Sequence, residues 1–377
     1  MNSRTSAGQP ANKMNRASLR DRYGYISGRI RVLEMQLLDS GRLNRLVEAR
    51  SQDEIFRVLA ECGYPQAPDP ETCLSREREA VYDLLRAHMP EPEFVEALMV
   101  FHDVHNVKAV LKHLGAPAAE SEGSEPASDP VGTDHSQATE SLARVLTRPG
   151  GLDLYLSRPS MVPIDILVKS MMEHKPDLIP AWLAQAVADA TQRYRKTYDF
   201  GETDLVLDQA AWAEVLRRAA DLDCPFFSRY LQIRIDCINL DLLLRTRFLR
   251  SGADFLGMAL IAGGSIDGSR ILPLYQAEND AIRAVYEQTR YAELANLATT
   301  YGQRGSAARF SLLADNLVMR LVREAARVVS GPEIGLAYLI AREMEIKNIR
   351  VILTSRRNGL SQTQAREMTR INYLTWR

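Results

Sequence analysis

The feature of this 377-residue sequence that most limits its possible folds is a nine-residue pattern that occurs three times. The copies run 103–111, 236–244 and 345–353, and each has an acidic residue three positions before an asparagine. Apolar residues stand two positions before that asparagine and one, four and five positions after it. Offsets of three and four place side chains on one face of a helix, so the pattern predicts one packed helix used three times.

The spacing of the copies indicates a repeated module. Asn106 and Asn239 are 133 residues apart, and Asn239 and Asn348 are 109 residues apart. The longer interval contains segment 117–137, which has five acidic residues, three prolines and no lysine or arginine. Such a composition cannot bury enough apolar surface to fold, so we expect a flexible acidic insertion. Without its 21 residues the two intervals nearly agree, which predicts three related lobes of roughly 110 residues.

The predicted organisation has five parts. They are a disordered N-terminal tail at 1–18, helical lobe 1 at 19–116, the acidic insertion at 117–137, helical lobe 2 at 138–252 and helical lobe 3 at 253–377.

The distribution of proline predicts that the lobes are helical. Pro225 is the one proline between positions 181 and 271, and none occurs from 274 to 331. Because proline inside a helix costs ~3 kcal/mol, these windows leave room for long helices. The alternation of Leu231, Ile233 and Ile235 is typical of a strand, but the apolar run continues at helical spacing to Leu249. We therefore predict an all-α fold.

The repeat singles out six structural residues. They are Asp103, Asn106, Asp236, Asn239, Glu345 and Asn348. A buried asparagine needs a hydrogen-bond partner, so we expect each amide to bind a carbonyl of a neighbouring helix or loop and to fix the packing there. The acid one turn earlier is expected to cap or orient the amide. The alternative is that these residues face a partner protein.

Composition excludes several classes of function. The net charge is −1 and no long basic block occurs, which argues against a nucleic-acid-binding protein. The longest uncharged apolar stretch, 255–266, is too short to span a bilayer, and glycines interrupt it as well. The first 18 residues are polar and lack an apolar signal region, so we expect the protein to be made and kept in the cytoplasm.

Four segments carry a resemblance to a known family. Residues 23–34, 101–112 and 230–244 resemble helices of the C subunit family of A/V-type ATPases and ATP synthases, whose eukaryotic member is the V-ATPase d subunit. The segment 336–350, followed by Asn358-Gly-Leu, is the most specific match. Two departures are the long acidic insertion and Asp241, which stands where the other two repeats have Lys108 and Arg350.

The resemblance implies a mechanical function. Members of the family consist of three pseudo-threefold helical lobes arranged as a funnel or socket. One end is expected to sit on the cytoplasmic loops of the rotor-ring proteolipid subunits, and the other to receive the central shaft made by the D and F subunits. The chain would then be a central-stalk rotor component, peripheral on the cytoplasmic face of the membrane. It would transmit torque for proton or other ion transport, with no catalytic residues, cofactor or metal of its own.

Arginines on the segments that resemble the family are the candidates for partner binding, because arginine keeps its charge and offers several donors. They are Arg29, Arg31, Arg42, Arg342, Arg350, Arg356 and Arg357. The alternative is that they are solvated, or that they pair with Glu34, Glu343 and Glu345 on their own helices.

Two other functions are compatible with parts of the sequence. His102-Asp103, with His88 and His105 nearby, resembles the metal-binding doublet of HD-type phosphohydrolases. However, Asp103 matches Asp236 and Glu345 of the repeat, neither of which follows a histidine, so the acid is explained without a metal. The second alternative is a generic helical-repeat scaffold, which would share the repeat but not the C-terminal match.

Overall fold

The computed structural model describes residues 16–115 and 152–374. Within these ranges it contains sixteen α-helices, six short 3₁₀ turns and no β-strand, which confirms the predicted all-α fold. The first five helices are α1 (Arg16–Leu33), α2 (Ser40–Glu48), α3 (Gln52–Glu61), α4 (Pro70–His88) and α5 (Glu93–Gly115). The next five are α6 (Ile164–Met172), α7 (Ala181–Thr197), α8 (Phe200–Ala220), α9 (Pro225–Leu249) and α10 (Ala253–Ala259). The last six are α11 (Gly268–Ile271), α12 (Asn279–Tyr286), α13 (Ala292–Ala295), α14 (Ser306–Glu324), α15 (Pro332–Arg357) and α16 (Gln362–Glu367).

Local sequence signals explain where the long helices begin. Proline occupies the first turn of α4, α9 and α15, where its missing N–H has no helical partner to lose. The side chain of Asp69 caps α4, and that of Asp199 caps α8, each by accepting a backbone N–H bond. The alternating segment 231–235 lies inside α9, so the helical prediction for it was correct.

Two hydrophobic clusters hold the helices together. The larger cluster extends from Tyr23 on α1 to Tyr373 near the C-terminus. The smaller one packs α2 and α3 against Ile346, Ile349 and Ile352 of α15. Helix α15 contributes to both clusters, which explains why it is buried along most of its length.

The three asparagines of the repeat are buried and make the same pair of hydrogen bonds. Each lies on the second of two consecutive long helices, α5, α9 or α15, which we call the asparagine helices. The amide of Asn106 donates to the carbonyl of Ser157 at 3.0 Å and accepts from the N–H of the same residue at 2.6 Å. Asn239 bonds Ile261 in this way at 2.8 Å in both directions.

Asn348 completes the set. It bonds the carbonyl of Arg370 at 3.1 Å and its N–H at 2.8 Å. In all three places a side-chain amide therefore replaces a peptide group and ties the loop that follows the asparagine helix back onto it. We call these three contacts the amide latches.

The acids of the first two repeats bind the same loops a few residues further on. Asp103 accepts from the N–H groups of Met161 and Val162 at 2.9 and 3.2 Å. Asp236 accepts from those of Ser265 and Ile266 at 3.0 and 3.1 Å. In both copies these are the fourth and fifth residues after the residue that the asparagine binds, so the two acids make equivalent contacts. They bind the loop rather than the asparagine amide.

Two further features distinguish the second and third copies. At the second latch a side chain on Gly264 would collide with the carboxylate of Asp236, so only glycine permits this approach. In the third copy Glu345 turns to the N-terminal part of the chain. It accepts from the N–H of Leu38 at 2.6 Å and from the hydroxyl of Tyr64 at 2.8 Å.

The asparagine helices also pack in a cyclic order. We call α4, α8 and α14, which come before them in the chain, the preceding helices. Helix α5 packs on α8, α9 packs on α14, and α15 packs on α4. Each asparagine helix thus contacts the preceding helix of the next copy, and the third copy closes the cycle on the first.

The domain limits stay predictions. Residues 1–15 of the expected tail and the whole acidic insertion lie outside the described residues, and α1 already begins at Arg16. The latches show that residues 157–162 and 261–266 bond to the asparagine helix before them. These loops are therefore bonded to the asparagine helix that precedes them in the chain, across the limits that the spacing predicts.

We predict that replacing a latch asparagine lowers stability strongly. Asn239→Ala removes two buried hydrogen bonds and leaves the N–H and carbonyl of Ile261 without partners, which we expect to reduce the free energy of unfolding by about 2–4 kcal/mol. Urea unfolding followed by circular dichroism measures this change. Asn44→Ala, at an exposed position of α2, is the control and should change stability by less than about 0.5 kcal/mol. Equal effects of the two variants would contradict the role of the latch.

Candidate functional site

A central cavity of about 920 Å³ lies where the three asparagine helices meet two of the preceding helices. Its walls are formed by α5, α8, α9, α14 and α15, with Tyr82 of α4 and the loop at 259–261. Because a helix is about 10 Å wide and rises 5.4 Å per turn, this volume accommodates about two turns of helix. The cavity is therefore large enough for a segment of another protein.

The floor and the mouth of the cavity differ in chemistry. Buried aromatic and aliphatic side chains line the floor, among them Trp212, Phe310 and Ile340. Charged residues line the mouth, where the side chains of Asp208 and Lys347 are 54% and 44% exposed. An apolar floor below a charged rim is the usual arrangement of a surface that binds a protein partner.

At the position two residues after the latch asparagine, an ion pair joins the copies at two of the three helix junctions, whereas the third junction has an ion pair elsewhere, between Arg229 and Glu324. Lys108 of α5 lies 2.6 Å from Asp208 of α8, and Arg350 of α15 lies 3.0 Å from Glu71 of α4. Both cations stand two residues after a latch asparagine. Asp241 occupies the corresponding position on α9 and is bonded instead by the hydroxyl of Tyr301 at 2.7 Å. The departure noted in the sequence thus changes one junction of the cycle.

The side chains of the histidine–aspartate doublet, His102 and Asp103, are hydrogen-bonded to backbone groups. Nδ1 of His102 lies 2.6 Å from the carbonyl of Pro159, and His105 lies 2.9 Å from that of Tyr155. Asp103 binds N–H groups of the same loop, and His88 lies 2.9 Å from Arg29. Within residues 16–115 and 152–374, no group of three or more His, Cys, Asp or Glu side chains is arranged to hold a metal ion. The loop at 155–162 therefore accounts for the doublet.

Burial changes the protonation of this doublet. It raises the pKa of Asp103 to about 6, although the two backbone N–H groups act in the opposite direction. It lowers the pKa of His102, which favours the neutral ring. The loop is thus held by a carboxyl group whose charge is removed in mildly acidic solution.

Arg342 is an interior residue, so it does not belong to a partner-binding surface. Its side chain is 2% exposed and lies 3.1 Å from Glu77 of α4 and 2.6 Å from Glu345. It also stacks on the rings of Tyr64 and Tyr338 at 5.0 and 5.6 Å. Burial raises the pKa of Glu77 to about 7, against the influence of Arg342. This network joins α4, α15 and the loop after α3.

Three N-terminal arginines also make contacts within the chain. Arg31 bonds Glu34 and the carbonyl of Ala325 at 3.1 Å, which attaches α1 to the end of α14. Arg42 bonds the carbonyls of Met35 and Leu37 at 3.1 and 3.0 Å. Arg29, beside His88, remains exposed. Arg350, near the other end of the chain, is exposed in part and paired with Glu71.

The two C-terminal arginines differ from the others. Arg357 is exposed at the end of α15, and Arg356 beside it is half-buried. Nη1 of Arg356 is buried and has no hydrogen-bond partner among the described residues, so this atom is not accessible to a partner protein. Of the seven candidates, Arg357 therefore presents the most available donors.

Sequence reasoning missed two parts of the site. Glu77 and Tyr64 lie outside the repeated pattern, and their role depends on α15 packing against α4 and the loop after α3. Arg234, which projects into the cavity from α9, was also missed. Its signal was present, because Arg234, Asp241 and Arg245 follow one another at helical spacing on the face that also carries Tyr230.

The same segments are recognised by comparison with known proteins. The family model described as "ATP synthase (C/AC39) subunit" matches residues 26–144 and 153–368. The chain is 22% identical to the C subunit of the V-type sodium ATPase of Enterococcus hirae, over 93% of this chain and 99% of that relative. It is 22% identical to the C subunit of the A-type ATP synthase of Desulfurococcus sp., over 92% and 90% of the two chains. The corresponding protein of Methanocaldococcus jannaschii is 23% identical, over 92% and 86%. These matches confirm the resemblance that the sequence motifs indicate.

We predict that Arg342→Met destabilises the protein by about 3–5 kcal/mol, because it leaves the carboxylates of Glu77 and Glu345 buried without their cation. Thermal and urea unfolding of the purified chain measure this loss. Arg350→Met, on the same helix, removes only a partly exposed ion pair and should cost about 1 kcal/mol or less. A loss no larger for Arg342→Met than for this control would show that the network contributes little.

We also predict a pH dependence from Asp103. Because its pKa is raised on folding, the folded protein holds this proton more tightly, and stability falls as pH rises from about 4 to 6. Asp103→Asn cannot titrate and should lack this component. The difference in unfolding free energy between the wild type and the variant should change by up to about 1.4 kcal/mol per pH unit in this window and be constant above it. Parallel curves between pH 4 and 8 would contradict the assignment.

Proposed function

The chain belongs to the ATP synthase (C/AC39) subunit family, and we propose that it is the non-catalytic central-stalk adaptor of a rotary A/V-type ATPase. In this role it couples the shaft made by the D and F subunits to the proteolipid ring and transmits torque for ion transport. The complex holds it at the cytoplasmic face of the membrane. None of the described helices is long and apolar enough to cross a bilayer.

The observation that carries the proposal is the central cavity inside a closed cycle of helices. Torque transmission requires a body that deforms little under load. The three amide latches fix each loop to its helix. The packing is cyclic, so each of the three copies contacts both of the others. We infer from this arrangement that the three copies form pseudo-threefold lobes around a socket.

The cavity supports a shaft end as the occupant of this socket. Its apolar floor and charged rim suit a protein segment, and its volume suits the end of one or two helices rather than a whole domain. The exposed end of α15, with Arg356 and Arg357, is proposed as a contact to the ring or shaft. Arg29 is a further candidate because it is exposed. Arg350 is another, because it is partly exposed even though it pairs with Glu71.

Assembly tests the proposal. The full chain, co-expressed with the D, F and proteolipid subunits of the same organism, should co-purify with the shaft and join it to detergent-solubilised ring. Shaft and ring without the chain should separate on size exclusion. Failure of the chain to bind either partner would refute the adaptor function.

Charge reversal tests the proposed contact at the end of α15. Arg356→Glu with Arg357→Glu should weaken assembly at least tenfold and uncouple ATP hydrolysis from ion movement. The reason is that two positively charged donors are replaced by carboxylates, which repel the acceptors that the arginines would bind. Arg195→Glu with Lys196→Glu is the matched control, since it reverses two exposed charges in the last turn of α7. Wild-type assembly and coupling of the first variant at raised salt would exclude this contact.

A further inference from the structure

Two buried carboxylates share one cation where α15 meets α4. Arg342 lies 3.1 Å from Glu77 of α4 and 2.6 Å from Glu345, which stands one turn further along α15. Among the described residues, Arg342 is the one cation within 4.0 Å of either carboxylate. The side chains of the two acids are 9% and 5% exposed, so a cluster with both of them ionised would hold an uncompensated negative charge in the interior at a large energetic cost.

Hydrogen bonds determine which of the two acids holds a proton. Glu345 accepts from the N–H of Leu38 at 2.6 Å, from the hydroxyl of Tyr64 at 2.8 Å and from Arg342 at 2.6 Å, so three donors compensate its charge. Among the described residues, the carboxyl group of Glu77 contacts one donor group, the guanidinium of Arg342. Burial raises the pKa of Glu77 to about 7, although Arg342 acts in the opposite direction, and the charge of Glu345 adds to the increase.

The other titratable groups that face Glu77 stay neutral near pH 7. Tyr64 faces it from the loop after α3, Tyr338 from α15, and Cys73 from the preceding turn of α4. Burial raises the pKa of both tyrosines above its usual value and that of Cys73 to about 11. Within the described part of this cluster, Glu77 is therefore the group whose charge changes near neutral pH.

The cluster also holds both ends of the α2–α3 hairpin, residues 38–64. Leu38 stands two residues before α2, and Cys62 and Tyr64 follow the end of α3. Leu38 and Tyr64 donate to Glu345, and the carbonyl of Cys62 accepts from Arg342 at 3.4 Å. The charged groups that surround the titrating carboxyl group are thus the same groups that attach the hairpin to α15.

We propose that proton binding to Glu77 controls how firmly the α2–α3 hairpin is attached to α15. When Glu77 is neutral, Arg342 compensates Glu345 alone and the charges of the cluster cancel. When Glu77 loses its proton, two carboxylates oppose one guanidinium, and opening the hairpin to water relieves the excess charge. The hairpin is thus held more tightly at acidic pH, and this inference does not rest on the proposed function.

The direction and range of the effect follow from the pKa of Glu77 in the two forms. The pKa of an exposed glutamate is about 4.3, so between this pH and about 7 the closed form binds the proton and the open form does not. Attachment therefore weakens as pH rises through this range, by up to about tenfold per pH unit. Above about pH 7 both forms have lost the proton, and the effect levels off.

Hydrogen–deuterium exchange of the purified full chain tests the proposal. Protection of residues 40–61, corrected for the intrinsic effect of pH on exchange, should fall about tenfold or more between about pH 5 and pH 7. Glu77→Gln is neutral at every pH, so this fall should be absent and the hairpin better protected than in the wild type at about pH 7.5. Asp53→Asn removes an exposed carboxyl group of the same hairpin and, as the control, should follow the wild type.

The wild-type measurement is decisive even where the variant does not fold. Constant corrected protection of the hairpin from about pH 5 to pH 8 would overturn the proposal. A fall that persists in Glu77→Gln would also overturn it, because another group would then be the cause. If Glu77→Gln raises the protection of α9 as much as that of the hairpin, the proton is coupled to the whole fold, and control of the hairpin alone is refuted.

Discussion

The structure depends on one interaction, the pairing of a buried side-chain amide with a single peptide group. Asparagine presents a donor and an acceptor side by side, so it replaces the peptide partner that a loop residue would otherwise find in a helix or strand. A buried loop without such a partner would leave its N–H and carbonyl groups unsatisfied, each at a cost of about 1–3 kcal/mol. The amide latches at Asn106, Asn239 and Asn348 therefore allow irregular segments to pack inside an all-α protein.

Rigidity follows from the way in which the latched units contact one another. The cycle in which α5, α9 and α15 each pack on a helix of the next copy has no free edge, so bending at one junction must be accommodated at the other two. Helix α15 also joins the large cluster to the small one and carries Arg342 in its interior. The mechanical function proposed for the chain thus draws on packing and buried hydrogen bonds rather than on a reaction centre.

The sequence predicted the helices and the three asparagines because those features are local or periodic. The offsets around Asn106 indicate both a helix and its buried face without any knowledge of the partners. The partners of Arg342 could not be predicted in this way, because Glu77 and Tyr64 are brought to it only by the packing of α15 on α4 and on the loop after α3. Its arginine charge suggested a surface position, and the surrounding carboxylates and rings make an interior one possible.

The junction made by α9, where Asp241 stands in place of a cation, has a consequence for folding. A chain with three similar helix pairs risks joining the wrong ones, since α9 resembles α5 and α15 along its apolar face. On α4 or α8, Asp241 would meet Glu71 or Asp208 and repel it, whereas Lys108 and Arg350 are attracted there. One reversed charge therefore keeps α9 away from the two preceding helices that belong with α5 and α15, at the point where internal duplication makes the order ambiguous.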